Sequence, residues 1–160
     1  MALDAAAANP RLARLDEIVR SHAGREGPLL PILHDVQAEW GHIPAEMIPA
    51  IADRLNLTRA EVHGVVSFYH DFREAPAGRR VVKLCRSEAC KAVGADALAA
   101  EAEARLGVAM GETRADGAVT LEPVYCLGLC ACGPAAMVDG EIVGRADAAR
   151  IEATVKERDA

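Results

Sequence analysis

The sequence predicts an α+β protein in which an amino-terminal helical bundle precedes a smaller α/β layer. The first observation is periodicity, because apolar residues recur at helical spacing in the first half and in short strand-like runs after residue 79. The second is composition: four of the five aromatic residues lie in the first half, and all five cysteines lie between residues 85 and 132. The turn-forming stretch 74–78 separates the two patterns. We therefore predict a helical domain over residues 1–78 and an α/β domain over residues 79–160.

Two helices are predicted before residue 42. Asn9 and Pro10 form a typical helix start, with asparagine as the N-cap and proline at the first helical position. The first helix is expected to end before Gly24. An apolar stripe predicts the second helix over residues 29–40, and Gly41 ends it.

Two further helices complete the predicted bundle. The third is expected from about residue 44 to residue 55. Thr58 and Glu61 form a capping-box pattern that opens the fourth. The side chains expected on the buried face of the fourth helix, or beside it, are Val62, Val65, Val66, Phe68, Tyr69 and Phe72.

The second half begins with a strand, a helix and a further pair of strands. Residues 80–84 predict a strand that runs directly into Cys85. A helix is expected from about residue 89 to residue 106, where Gly107 stops it. Residues 110–113 are interpreted as a short strand, and residues 119–125 as a strand that ends at Cys126.

A hairpin and a helix close the chain. Residues 135–138 and 141–143 are predicted to pair across the turn at Asp139 and Gly140. Asp147 is the expected N-cap of a final helix that runs to about residue 157.

Composition and charge exclude several classes of function. The net charge is −6, from 18 basic and 24 acidic residues, which argues against generic binding to nucleic acid or anionic lipid. No apolar run approaches the roughly 18 residues that a membrane span needs. The first ten residues lack a basic start and carry Asp4, which is not typical of a secretory signal. We therefore expect a cytoplasmic protein without direct membrane contact, in which an odd number of thiols stays reduced.

Four cysteines form two pairs with short spacings. Four residues separate Cys85 from Cys90, three separate Cys126 from Cys130, and 35 lie between the pairs. A structural zinc site accepts four cysteines and allows these spacings, although most use two intervening residues. A 2Fe–2S cluster has two irons that each need two thiolates, which two separate pairs supply. A thioredoxin-type dithiol is not indicated, because no pair has the Cys-x-x-Cys spacing.

The residues around the pairs favour a cluster. Gly128 and Gly133 let backbone N–H groups approach sulfur, and such hydrogen bonds raise a reduction potential. Leu127 and Leu129 are expected to shield the group from water. The fifth cysteine, Cys132, is interpreted as a small packing residue, with an exchange of ligand role between it and its neighbour Cys130 left open.

Other titratable residues give weaker signals. Arg86 and Lys91 flank the first pair, either as charges that stabilise a reduced cluster or as solvated surface residues. Five histidines lie before the cysteines and are interpreted as structural or exposed: His22, His34, His42, His63 and His70.

A helix-turn-helix over residues 44–73 is an alternative for the first half. Residues 10–73 carry seven basic and nine acidic residues, a net of −2, and a DNA-binding module with that balance is unusual. No partner nucleic acid is therefore expected.

Taken together, the motifs resemble a known family, the thioredoxin-like 2Fe–2S subunits of NADH dehydrogenase modules, found in respiratory complex I, NAD-linked hydrogenases and NAD-dependent formate dehydrogenases. The matching stretches cover most of the chain: WGHIP at 40–44, EVHGVVSFY at 61–69, CRSEAC at 85–90, YCLGLC at 125–130, GPAAMVDG at 133–140 and GR at 144–145. The resemblance implies a thioredoxin-like second domain with a cis-proline at Pro134. It also implies a 2Fe–2S cluster held by Cys85, Cys90, Cys126 and Cys130.

The resemblance further implies a function. The compact end of the chain and the run from Leu129 to Pro134 look most like the γ subunit of soluble, molybdenum-dependent formate dehydrogenases. A non-catalytic electron-transfer subunit of a hetero-oligomeric NAD-dependent oxidoreductase is implied, with a flavin- and NAD-binding partner and a molybdenum-bearing catalytic partner. FMN, NAD and the molybdenum cofactor are expected on those partners. The alternatives are the equivalent subunit of complex I or of an NAD-linked hydrogenase and, more remotely, a zinc-stapled interaction or regulatory protein.

Overall fold

The structure is a computed structural model that describes residues 9–157. The amino-terminal stretch considered above for a secretory signal lies almost entirely outside those residues. The described chain falls into two compact units that divide between Pro76 and Ala77. The predicted boundary at residues 78 and 79 between two separate domains stays a prediction.

Four helices make up the ordered elements of the first unit. They are α1 (Pro10–Ser21), α2 (Leu29–Trp40), α3 (Met47–Leu55) and α4 (Arg59–Phe68). Each has an apolar face that meets the others in one core. The fully or almost fully buried side chains of that core are Leu15, Ile18, Ile32, Leu33, Val36, Ile43, Met47, Ile51, Ala52, Val62, Val66 and Phe72.

The helix starts follow the capping residues. The Asn9 side chain accepts a hydrogen bond from the backbone N–H of Arg11 at the start of α1. At α4, Thr58 Oγ1 accepts from the Glu61 backbone N–H, and the Glu61 carboxylate accepts from the Thr58 backbone N–H. Both predicted caps are confirmed. Helix α3 begins at Met47, later than predicted, because residues 45 and 46 form a turn.

The predicted buried face of α4 is wrong at Tyr69, and Phe68, which was expected beside that face, lies away from it. Val62 and Val66 are buried, but Phe68 and Tyr69 remain 74% and 42% exposed. Phe68 lies two residues beyond Val66, and on a helix this spacing points to the opposite side. Tyr69 has left the helix and adopts an extended backbone, so it no longer continues the buried stripe.

The second unit contains one mixed four-stranded sheet. Its strands are β1 (Arg80–Cys85), β2 (Val119–Val124), β3 (Ala136–Val138) and β4 (Glu141–Val143), arranged in the order β2-β1-β3-β4. β1 is parallel to β2 and antiparallel to β3, and β3 pairs antiparallel with β4. The mixed α/β architecture of the second half is therefore as predicted, and the β3–β4 hairpin is confirmed.

Three helices accompany the sheet: α5 (Glu88–Lys91), α6 (Ala95–Leu106) and α7 (Ala148–Glu157). The single helix predicted from residue 89 to residue 106 is wrong, because the chain breaks between α5 and α6. Gly94 has a φ of 101° there, which a helix does not allow. Asp147 caps α7 by accepting a hydrogen bond from the Arg150 N–H at 2.8 Å, as predicted.

The short strand predicted over residues 110–113 is also wrong. Gly111 has a φ of 86°, which interrupts an extended chain. Only one isolated bridge forms, between Thr113 and Thr120.

The sheet and its helices share a core. Its buried side chains are Val82, Leu84, Leu98, Ala99, Ala102, Leu106, Val108, Val119, Leu121, Ala136, Val138, Val143, Ala146, Ala148, Ile151 and Val155. None of the helices between residues 9 and 157 combines the length and apolar character that crossing a bilayer requires.

Candidate iron–sulfur site

The parallel pairing of β1 and β2 creates the site. Carboxyl ends of parallel neighbours lie at the same edge of a sheet, and Cys85 at the end of β1 is in register with Val124 at the end of β2. The Arg86 N–H donates to the Val124 carbonyl at 2.7 Å, which carries the pairing one residue further. Cys126 follows two residues after Val124, so the two cysteine-bearing loops start side by side.

The first pair is buried and close together. Cys85 and Cys90 are each only 2% exposed, and both belong to one buried cluster. Helix α5 supplies Cys90, whose N–H donates to the Ser87 carbonyl at 3.0 Å. An apolar shell surrounds the pair, made by Ala95, Ala135, Val124, Leu127 and Leu129. The predicted shielding by Leu127 and Leu129 is therefore present on the side of the first pair.

The second pair lies at the surface. Cys126 and Cys130 are both exposed, and Cys126 has a φ of 146°. The Gly128 N–H donates to Cys126 Sγ at 3.3 Å, which confirms one predicted glycine contact. The Gly133 N–H itself donates to the Cys130 carbonyl at 3.4 Å, and the role expected for Gly133 near sulfur stays a prediction.

One contact with the first pair was not predicted. Ala135 is buried in the same apolar cluster as Cys85 and Cys90, and its carbonyl accepts from the Cys85 N–H at 3.0 Å. Ala135 lies far from Cys85 in sequence, and the two are neighbours only through the sheet order, which the sequence does not reveal. Leu127, which follows Cys126, packs against the same cluster, so the two cysteine-bearing loops meet there.

The two buried thiols differ in acidity. Burial raises the pKa of Cys85, but hydrogen bonds from Ser87, Cys90 and Leu127 outweigh it and leave that pKa below its usual range. Burial also raises the pKa of Cys90, and the hydrogen bond with Cys85 raises it further. Negative charge on Cys130 also raises the pKa of Cys90, so the two cysteine-bearing loops are close enough to interact electrostatically. The pair therefore holds one thiolate, on Cys85, more readily than two.

The Gly133–Pro134 peptide bond is cis, which confirms the geometry expected at Pro134. This bond precedes Ala135, whose carbonyl accepts from the Cys85 N–H at 3.0 Å. A Cβ at Gly133 would lie 3.6 Å from Cys90 Sγ and 2.8 Å from the Val93 side chain. The glycine thus allows this segment to approach the first pair closely.

Cys132 occupies a different environment. It is half-buried beside Gly144, and its carbonyl accepts from the Arg145 N–H at 2.6 Å. Its interpretation as a packing residue stays a prediction.

The charges beside the first pair are engaged in ion pairs. Arg86 contacts Asp96 at 2.8 Å, and Lys91 contacts Glu88 at 3.5 Å. Within residues 9–157, no three His, Cys, Asp or Glu side chains are arranged to hold a single metal ion. The cysteines accordingly form one buried pair and one exposed pair, and not a closed set of four.

The residues present fit a 2Fe–2S cluster. Such a cluster needs two thiolates per iron, N–H groups directed at sulfur and a partly water-excluding surround. The structure supplies two cysteine pairs at one edge of the sheet, a backbone N–H donor to Cys126 Sγ, and an apolar shell at the first pair. The whole arrangement depends on backbone positions set by β1, β2 and the cis-proline segment.

Comparison with known proteins gives a consistent result. The profile of the thioredoxin-like [2Fe-2S] ferredoxin family matches residues 15–159. An NADH-quinone oxidoreductase subunit of Rhizobium meliloti (strain 1021) is 36% identical over 132 residues, which cover 82% of this chain and 79% of that protein. An NADP-reducing hydrogenase subunit, HndA of Solidesulfovibrio fructosivorans, is 29% identical over 148 residues, covering 92% of this chain and 86% of that one.

A solved structure shares the fold. The crystal structure of an NAD⁺-reducing [NiFe]-hydrogenase in the air-oxidized state matches with a TM-score of 0.69 at 27% identity. The match covers 81% of this chain but only 22% of the hydrogenase chain. This chain also spans about half, 53%, of the length of the mycobacterial relatives that it matches. With a family profile that covers nearly all of the described residues, this chain belongs to the thioredoxin-like [2Fe-2S] ferredoxin family, and its cofactor is a 2Fe–2S cluster.

Proposed function

We propose that this chain is the electron-transfer iron–sulfur subunit of an NAD-linked oxidoreductase complex, with Cys85, Cys90, Cys126 and Cys130 as the cluster ligands. The observation that carries the proposal is the packing of Leu127 and Leu129, which lie between Cys126 and Cys130, against the buried cluster that contains Cys85 and Cys90, because it brings the two cysteine-bearing loops together. The names of the relatives support the coarser function, since they are subunits of an NADH-quinone oxidoreductase and of an NADP-reducing hydrogenase.

When bound, a 2Fe–2S cluster supplies reversible one-electron transfer. The residues of this chain ligate it, donate hydrogen bonds to its sulfur ligands and cover part of it with apolar side chains. Bond-making chemistry on the substrate and on NAD belongs to partner subunits in this proposal.

Two exposed apolar residues support docking next to the cysteine loops. Tyr125, directly before Cys126, is 65% exposed, and Val93, three residues after Cys90, is 52% exposed. Large apolar side chains at the surface beside a functional site are typical of protein–protein contacts. We assign this surface to the flavin- and NAD-binding partner, because electron transfer requires the two redox groups to be close.

Within this class of complexes we propose an NAD-dependent formate dehydrogenase with a molybdenum-bearing catalytic subunit. The support is the resemblance of the run from Leu129 to Pro134 to the γ subunits of such enzymes. The second candidate is the equivalent subunit of an NADH-quinone oxidoreductase or a hydrogenase, which the names of the relatives favour.

The ligand assignment is tested by single substitutions. Cys126→Ser and Cys130→Ser are expected to weaken or abolish the cluster, because each removes one of two thiolates from an iron. Cys132→Ser is the matched control, since it changes the same atom two residues from Cys130, and it should retain the cluster. Iron content and the visible spectrum of the purified variants provide the readout. Loss of the cluster in Cys132→Ser with retention in Cys130→Ser would reverse the assignment of these two residues.

The choice of complex is tested on the native assembly. The chain is tagged in cells that express it, the complex is purified, and NAD⁺ reduction is measured with formate and with hydrogen. Formate-dependent NAD⁺ reduction together with molybdenum in the complex is the expected result. Hydrogen-dependent reduction, or NADH-dependent quinone reduction without formate activity, would establish the second candidate instead.

A further inference from the structure

One side-chain contact at the cysteines is not accounted for by ligation or by the fold. Ser87 lies between the two cysteines of the first pair, and its Oγ is 3.1 Å from Cys85 Sγ. The contact is half-buried, beside a cysteine that is 2% exposed. A hydroxyl at this distance from sulfur is within hydrogen-bonding range.

The position of Ser87 makes this contact unusual. Serine there is the N-cap of α5, where its hydroxyl ordinarily accepts a hydrogen bond from the helix backbone. Asn9 and Thr58 cap their helices in this way, whereas the Ser87 side chain makes no capping bond. The hydroxyl is directed at Cys85 instead. Only the Ser87 carbonyl serves the helix, by accepting from the N–H groups of Cys90 and Lys91, each at 3.0 Å.

The direction of the hydrogen bond follows from ligation. Either atom can donate while the sulfur carries a proton, but a cysteine that ligates iron is a thiolate without one. In the loaded protein Ser87 must therefore donate its hydroxyl hydrogen to Cys85 Sγ. A hydrogen bond donated to a ligand sulfur withdraws negative charge from that sulfur. It stabilises the reduced cluster more than the oxidised cluster, because the reduced state carries one more electron.

We propose that Ser87 raises the reduction potential of the cluster through its O–H···S hydrogen bond to Cys85. The proposal rests on the ligand assignment of Cys85 made above. Replacing the Ser87 side chain leaves the backbone of this loop unchanged, so the contribution of the hydroxyl can be measured by itself.

The test is a redox titration of the purified, cluster-loaded protein, monitored by electron paramagnetic resonance. Ser87→Ala is expected to lower the midpoint potential. Loss of one hydrogen bond to the reduced state should make the ratio of reduced to oxidised cluster at a fixed ambient potential fall about threefold to tenfold. At about 59 mV per tenfold for one electron, this is a shift of roughly 30 to 60 mV.

Three further variants make the result specific. Ser87→Thr keeps the hydroxyl, so its midpoint potential should stay near the wild-type value. Ser87→Val has nearly the same shape as the threonine variant but lacks the hydroxyl, so its midpoint potential should fall as in Ser87→Ala. Ser67→Ala is the matched control, because that exposed serine donates to the Gly64 carbonyl in the helical unit. It should leave the potential unchanged.

The outcomes separate this inference from the ligand assignment. An unchanged potential in Ser87→Ala with a normal cluster overturns the inference and leaves the ligands intact. If neither hydroxyl-free variant assembles a cluster while the threonine variant does, the hydroxyl serves assembly, and the tuning role is also overturned. A wild-type protein that binds no cluster at all would instead overturn the proposed function.

Discussion

The two cysteine pairs differ at the level of single residues, since one is enclosed and the other faces solvent. Cys85 and Cys90 are covered by Ala95, Ala135 and neighbouring apolar side chains. Cys126 and Cys130 are exposed. On the proposed ligand assignment, the enclosed pair would anchor the cluster and the exposed pair would complete it from the surface side.

This difference predicts an order of alkylation. In the cluster-free protein, iodoacetamide should label Cys126 and Cys130 well before Cys85 and Cys90, because the reagent must reach the sulfur atom and only the second pair is exposed. Loading the cluster should then protect Cys126 and Cys130 in spite of their exposure. Time-resolved mass spectrometry of the peptides measures both effects. Labelling of Cys126 at the same rate with and without the cluster would contradict its role as a ligand.

A second residue-scale prediction concerns Asp116. The Arg114 guanidinium donates to both of its carboxylate oxygens at 2.9 Å, and the Ala118 N–H donates at 2.9 Å, which together lower the pKa of Asp116 from 3.8 to about 2. The carboxyl carbon should therefore titrate near pH 2 by nuclear magnetic resonance. Because the folded-state pKa is the lower one, the stabilisation is complete above pH 3.8 and is lost as the pH falls towards 2. In Arg114→Gln the pKa should return towards 3.8; a titration that stays near 2 would show that the arginine is not the cause.

At the scale of single elements, the α4 cap is the clearest local determinant. Thr58 and Glu61 exchange hydrogen bonds at its first turn. Thr58→Ala should lower the free energy of unfolding by about 1 kcal/mol, since it leaves a helix N–H without its acceptor. Thr58→Ser keeps the side-chain oxygen that accepts this hydrogen bond, so its free energy of unfolding should fall much less. Urea denaturation followed by circular dichroism compares them; equal losses in the two variants would rule out the cap as the origin.

The entry into β1 depends on a glycine. A Cβ at Gly78 would lie 2.9 Å from the backbone N and C atoms of Val119 and 3.1 Å from the Gly117 carbonyl oxygen. The Val119 atoms belong to the backbone of β2, so they cannot rotate away. Gly78→Ala should therefore destabilise the protein by roughly 1 to 3 kcal/mol.

Gly64 offers the matched contrast for that substitution. It lies inside α4, where an added Cβ meets nothing within 4 Å. Gly64→Ala should stabilise the protein by about 0.5 to 1 kcal/mol, because alanine loses less conformational entropy in a helix. Denaturation midpoints of both variants test the pair, and a stabilising Gly78→Ala would contradict the close packing at β1.

Element types were predictable from the sequence where periodicity was long or a cap was present, as in α1, α2, α4 and α7. The positions at which an element is interrupted were not predictable, because each interruption depends on the backbone conformation of a single glycine. Gly94 splits the predicted helix into α5 and α6, and Gly111 prevents the predicted strand. A glycine in an alanine-rich run carries no signal that separates a tolerated position from a left-handed one.

The proposed ligands could be named from residue types and spacings, and their surroundings could not. The four cysteines follow from the two pairs and the strand ends before them, and their role as ligands stays a prediction. Ala135 contacts Cys85 through its backbone carbonyl, so its side chain carries no trace of that contact. The exposure of Phe68 and Tyr69 likewise depends on where α4 ends, which apolar patterning does not fix.

At the scale of the whole molecule, the chain combines a helical unit and an α/β unit, each with its own core. The proposed ligands all lie in the second unit, where the order β2-β1-β3-β4 brings both cysteine-bearing loops and the cis-proline segment around β1. The exposed Phe68 and Tyr69 of the helical unit stack edge to face with ring centroids 5.3 Å apart. In the proposed hetero-oligomer, we expect a partner subunit to contact these two rings.

The central claim is that two cysteine pairs hold one 2Fe–2S cluster in this chain. Electron paramagnetic resonance of the reduced, purified protein, with iron and sulfide quantified on the same sample, tests it most directly. The account predicts two irons and two sulfides per chain and a signal from one unpaired electron, lost in Cys126→Ser and retained in Cys132→Ser. A colourless protein that contains zinc and gives no signal after reduction would contradict it.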